Sequence, residues 1–120
     1  MKQETLGQFE TLILQAIITL EDDAWGLQIH AKLCEMKKRQ FNQGSVYVTL
    51  GRLEKKGYVK SRVAETGPEQ GGRPRKFYTL QPAGARAMLE SVDTAKQISD
   101  FYRGVSKWKR LLLKLSLKRV

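Results

Sequence analysis

Residues 44–59 read Gly-Ser-Val-Tyr-Val-Thr-Leu-Gly-Arg-Leu-Glu-Lys-Lys-Gly-Tyr-Val, a helix, its stop and the start of a strand in one stretch. Val46, Leu50 and Leu53 recur at i, i+4 and i+7, which marks one side of a helix predicted over about 45–56. Asn42 stands ahead of it as a candidate cap. Gly57 follows Lys55 and Lys56 and fits the position just past a helix end. The strand formers of 58–63 come next. The polar side of the helix, Ser45, Val48, Thr49, Arg52 and Lys56 with Tyr47 and Lys55 on its flanks, is predicted to face outward.

Toward the N-terminus the chain reads as two more helices. Leu6, Phe9, Ile13, Ala16, Ile17 and Leu20 recur at three- and four-residue steps, and Thr5 and Gln8 have capping-box spacing. A well-buried helix over about 5–20 is predicted. Glu21, Asp22 and Asp23 connect it to a second helix over about 25–38, with Trp25, Ile29, Leu33 and Met36 as its stripe. Trp25 and Cys34 are read as core residues, and His30 as a surface or boundary residue.

Toward the C-terminus, residues 76–80 form a second strand, and the breakers Gly67, Pro68, Gly71, Gly72 and Pro74 lie between the strands. That is a hairpin with a long tip. Pro82 then opens a fourth helix. Met88, Val92, Ala95, Ile98, Tyr102, Val105, Trp108, Leu112 and Leu115 follow as one stripe. Unbroken over 83–116, such a helix would reach ~50 Å at 1.5 Å per residue. Gly104 is its interior weak point. A stripe of this length must be buried against something, and a second copy of the chain is the simplest partner. The expected fold is mainly α with a small antiparallel β-hairpin. A DNA-binding-type domain occupies 1–82 and a dimerisation helix 83–120.

Charge narrows the function. The 120 residues hold 22 Lys+Arg against 12 Asp+Glu, a net of +10 with a pI near 10.0. The excess is local: residues 1–35 carry −4, 36–63 carry +7 and 103–120 carry +7 with no acid. An anionic partner is expected, and a cationic substrate is disfavoured. One cysteine and one histidine leave no internal disulfide and no dedicated Cys/His zinc site. A catalytic triad lacks parts, and no phosphate-binding or dinucleotide Gly pattern is present. No enzyme and no cofactor are expected. The absence of a long apolar run or a leader pattern points to a cytoplasmic protein.

Three helices followed by a basic hairpin are the layout of a winged helix-turn-helix. The third helix would enter the major groove of double-stranded DNA, bringing Gln43, Ser45, Val48, Thr49 and Arg52 to base edges. Arg52 would take either guanine or a phosphate, and Tyr47 either a phosphate or a packing role. Lys56 and the wing residues Arg73, Arg75 and Lys76 would meet mainly phosphates or the neighbouring minor groove. The basic amphipathic tail from Lys107 to Arg119 keeps a rival open, docking on an anionic membrane or a partner protein.

Trp-Gly-Leu-Gln-Ile at 25–29, the stretch 44–59, Gly-Gly-Arg-Pro-Arg-Lys-Phe-Tyr-Thr-Leu at 71–80 and Pro-Ala-Gly at 82–84 resemble the PadR family of bacterial transcriptional regulators. The resemblance covers about residues 5–90. It implies a homodimer that binds operator DNA, mostly as a repressor, often with release by a small phenolic or hydrophobic effector. Two positions depart from the family's pattern. Val48 stands where proline is common, and Gln81 where a capping Thr or Ser is common. The short basic tail is similar to that of the single-helix members.

Overall fold

The structure is a computed structural model that describes residues 6–65, 74–104 and 106–117, without the side chains of 102, 104 and 106–109. It divides into two compact units, Met1–Met88 and Leu89–Val120, which meet within one helix six residues beyond the expected boundary.

The first unit opens with α1, Gln8–Leu20. It starts later than the apolar pattern suggests. Gly7 is the cap residue, and Glu10 Oε1 accepts the Gly7 N–H at 2.9 Å. Thr5, expected to pair with Gln8, lies outside the described residues. A single 3-10 turn, Glu21–Asp23, leads to α2, Gly26–Lys37. Next comes α3, Gln43–Lys55. Asn42 caps it as expected, its Oδ1 accepting the Ser45 N–H at 3.0 Å. Its end is a Schellman closure: Gly57 has φ +78°, its N–H donates to Glu54 O, and Tyr58 N–H donates to Leu53 O.

Strands β1, Val59–Ala64, and β2, Arg75–Leu80, pair antiparallel, with Val59 opposite Leu80 and Ser61 opposite Tyr78. Residues 24–25 add a short third edge. Tyr78 N–H donates to Ala24 O at 2.8 Å, and Trp25 bridges Phe77. The wing is thereby tied to the start of α2.

The core is what the three stripes dictate. Ile13, Leu14, Ala16 and Ile17 of α1 meet Ile29 and Leu33 of α2 and Val46, Leu50 and Leu53 of α3. Tyr58, Val59 and Tyr78 of the hairpin close it. Trp25 is only half-buried, with its indole N–H enclosed. Cys34 is half-buried as well, its Sγ 3.7 Å from His30 Nε2. His30 Nε2 donates to Phe41 O at 2.6 Å and so ties α2 to the turn before α3.

The fourth helix, α4, spans Pro82–Gly104, and α5 spans Ser106–Leu117. Both described stretches of the pattern expected over 83–116 are helical, and Val105 between them lies outside the described residues. Ala87 of α4 is buried in the first unit's core, and Ala83 and Met88 pack against it. Gly84 sits where a Cβ would run into the Tyr58 carbonyl and come 2.8 Å from Leu80 Cδ1. No side chain larger than hydrogen fits between α4 and the hairpin at that point. In the second unit, Leu89, Val92, Ile98, Phe101, Leu111, Leu112, Leu113, Leu115 and Leu117 are exposed.

Candidate nucleic-acid interface

The outer face of α3 follows from its inner one. Val46, Thr49, Leu50 and Leu53 are buried. At 100° per residue the opposite side is centred on Gly44, Val48, Gly51 and Lys55, with Tyr47 along one edge and Arg52 and Ser45 along the other. Burial agrees, for all seven are exposed, Val48 by 57% and Tyr47 by 47%.

One expected site residue is placed differently. Thr49 is 6% exposed and its Oγ1 donates to Ser45 O at 2.8 Å. It lies three residues after Val46 and four before Leu53, so the helical period turns it inward whatever its polarity. Lys56, by contrast, is exposed at the end of α3 as expected. It is the C-cap residue, and its Nζ is 2.9 Å from Glu10 Oε2 on α1. The centre of the face, Gly44 and Gly51, was missed because neither carries a chemical side chain. The complement of the apolar series, 44, 48, 51 and 55, is the signal that finds them.

The remaining expected residues fall into two groups. Gln43 and Ser45 are exposed in the first turn of α3, and Arg52 is exposed one turn beyond Val48. In the wing, Arg75 is half-buried, its guanidinium 4.0 Å from the centre of the Trp25 ring. Lys76 is exposed, with its Nζ 3.5 Å from Glu54 Oε1. Arg73 and the rest of the hairpin tip lie outside the described residues.

Tyr47 joins α3 to α2. A Cβ at Gly26 would lie 2.6 Å from Tyr47 Cε1 and 2.7 Å from its hydroxyl, so the ring rests on the bare Gly26 backbone. Between the start of α2, α3 and β2 lies an open cleft of about 660 Å³, lined by Trp25, Tyr47 and Tyr78 and by the cations Arg75 and Lys76. The first N–H groups of α2 border it, so helix end and side chains alike favour an anion there.

The carboxylates of this region are held ionised. Partial burial pushes the Glu10 pKa up. The Gly7 N–H, the Lys56 ammonium and the Arg52 guanidinium together outweigh it and bring the pKa below the usual value. Glu54 is lowered chiefly by the Ser61 hydroxyl that donates to it, with Lys76 adding its charge. Burial raises the Tyr78 hydroxyl. Among the described residues no group of His, Cys, Asp and Glu is arranged to hold a metal ion. None of the described helices is long and apolar enough to cross a membrane.

The residues expected at a dimer contact are placed unevenly. Met88 packs against the first unit's core, which removes it from the uncovered stripe. Val92, Ala95, Ile98 and Leu112 are exposed. Val105 and the side chains of Tyr102 and Trp108 lie outside what is described.

Comparison with known proteins adds an independent line. A family model described as the transcriptional regulator PadR-like family matches residues 13–90. A search of curated proteins finds no match. Among solved structures, the chain resembles a PadR family transcription regulator from hypervirulent Clostridium difficile, with TM-score 0.65 and 23% identity over 82% of this chain and 97% of that one. It also resembles a PadR family transcriptional regulator from Eggerthella lenta, with TM-score 0.63 and 23% identity over 84% and 82% of the two chains. RosR from H. salinarum gives TM-score 0.59 and 24% identity over 92% and 91%. At these identities the likeness to solved structures carries the fold.

Proposed function

The chain belongs to the PadR-like transcriptional regulator family, a family of regulators and not of enzymes, and from that premise we propose that it is a homodimeric repressor occupying a pseudo-palindromic operator. Each α3 enters a major groove, and the wings lie against flanking backbone. The observation that supports this reading most is the outer face of α3. Thirteen residues of helix present Val48, Arg52 and Lys55 to solvent beside a wing that carries Arg75 and Lys76. A helix of that width fits the ~12 Å major groove of B-DNA.

The roles divide by reach. Gln43, Ser45, Val48 and Arg52 meet base edges. Tyr47, Lys55, Arg75 and Lys76, with the cleft behind them, hold phosphates. Arg73 takes the same anchoring role from the wing tip. Repression is steric, by occupancy of DNA in the cytoplasm. Val92, Ala95, Ile98 and Leu112, with Tyr102, Val105 and Trp108, supply the seam between two copies. A small hydrophobic or phenolic effector would release the operator by favouring a dimer whose recognition helices no longer match the half-site spacing.

Selection of bound duplexes from a random pool by the purified protein, followed by sequencing, tests this directly. An inverted repeat with centres about one helical turn apart is the expected result. Enrichment of no sequence would overturn it.

A further inference from the structure

The outer face of α3 carries an apolar side chain that the fold does not use. Val48 is 57% exposed, on the side opposite Val46, Leu50 and Leu53, and it belongs to neither the core nor a cap. Valine is also a poorer helix former than the lysine, glutamate or alanine that usually fill an exposed helical position. Three residues on, Gly51 repeats the pattern. A Cβ there would meet nothing within 4 Å, and its backbone is ordinary helix. Neither conformation nor packing asks for glycine at that position, and it weakens the helix relative to alanine. Two costly choices stand side by side at the centre of the one face turned outward, with the Arg52 guanidinium a turn away.

In the major groove the thymine C5-methyl is the apolar feature of the base-pair edges. Arginine is the residue that takes guanine O6 and N7. Val48 and Arg52 are four residues apart, ~6 Å along the helix, close to two base steps. We propose that Val48 is a specificity-determining residue that reads a thymine methyl in each half-site. Arg52 takes a guanine within two base pairs of it, and the bare Gly51 lets α3 lie close enough for the methyl contact. This rests on the operator-binding reading above and specifies what that site reads.

The test uses the full-length protein and the duplex found by selection, in which each thymine is replaced in turn by uracil. Uracil pairs identically and lacks only the methyl. One thymine per half-site should prove sensitive, with affinity falling about fourfold for one lost methyl contact and about fifteenfold when both half-sites are changed. Val48→Ala should bind the thymine and uracil duplexes equally, whereas Arg52→Ala should keep the preference for thymine. Gly51→Ala should raise the thermal midpoint and yet weaken operator binding several-fold. Wild-type protein indifferent to uracil at every position, or Val48→Ala that still prefers thymine, would overturn the proposal. Gly51→Ala with unchanged affinity would overturn its account of close approach. Failure of the operator reading itself looks different, because no duplex would be selected at all.

Discussion

Each side chain at the candidate interface answers first to the helix period and only then to its own chemistry. Thr49 is polar and stands among outward-facing neighbours, yet Val46 and Leu53 fix the inward direction and Thr49 lies between them. Its hydroxyl is satisfied by Ser45 O, so the residue is structural. Thr49→Val, nearly the same in shape, should leave the selected DNA sequence unchanged and shift stability by about 1 kcal/mol or less. Thermal melting beside a repeat of the selection checks both halves. Arg52 and Arg75 separate the remaining roles. Arg52→Ala should relax preference at one or two positions per half-site, at about 1–3 kcal/mol per lost base contact. Arg75→Ala should weaken binding to specific and random duplexes alike and shallow the salt slope by about one unit per contact per subunit. Competition binding at two salt concentrations measures this. Wing variants that changed base preference would mean an arginine in a narrow minor groove.

Elements are held in register by a few contacts that no local pattern announces. Asn42, Gly57 and the three apolar stripes were legible in the sequence because caps and periodicity act within one element. The Glu10–Lys56 pair, Gly26 beneath the Tyr47 ring and Gly84 against Tyr58 were not, because each joins elements far apart in the chain. On α3, polarity alone does not give exposure, as the buried Thr49 shows, and Gly44 and Gly51 carry no side chain to signal their outward position. Gly84→Ala forces a methyl into the backbone of the hairpin, so it should cost about 1–3 kcal/mol and lower the thermal midpoint by several degrees. DNA binding should recover fully on cooling. The Glu10–Lys56 pair predicts a pH dependence. The folded-state pKa of Glu10 lies below its ordinary 4.5. Its contribution is therefore present above about pH 4.5 and lost as pH falls through the folded value. Wild type and Glu10→Gln should differ by a constant amount, at most ~1 kcal/mol for a partly exposed pair, at neutral pH. The two should converge in acid, and denaturant titrations from pH 3 to 7 give the comparison.

At the scale of the whole molecule, the two units divide the labour. The core lies within Met1–Met88 and is closed by Ala87, while Leu89–Val120 leaves Val92, Ile98 and a run of leucines exposed. Burying one such side chain contributes ~1.5 kcal/mol or more, so several left wet would rival a domain's entire margin of stability. The proposed second copy would relieve this and at the same time set two α3 helices at a fixed distance, which is what a two-fold operator needs. The basic character of α5, with Lys114 and Arg110 among its leucines, also fits an anionic surface, so the measurement has to separate the two. Light scattering should give a dimer at tens of micromolar without lipid. Ile98→Asp should give a folded monomer whose melting of the first unit is little changed. Its operator affinity should fall steeply, because each half-site is then bound alone. For the intact dimer, about six phosphate contacts predict a loss of roughly a thousandfold between 50 and 200 mM salt. The monomer should show about half that slope on a logarithmic scale, since half the contacts remain. A wild-type protein that stays monomeric and sediments with anionic liposomes would transfer the uncovered leucines from a dimer seam to a membrane surface.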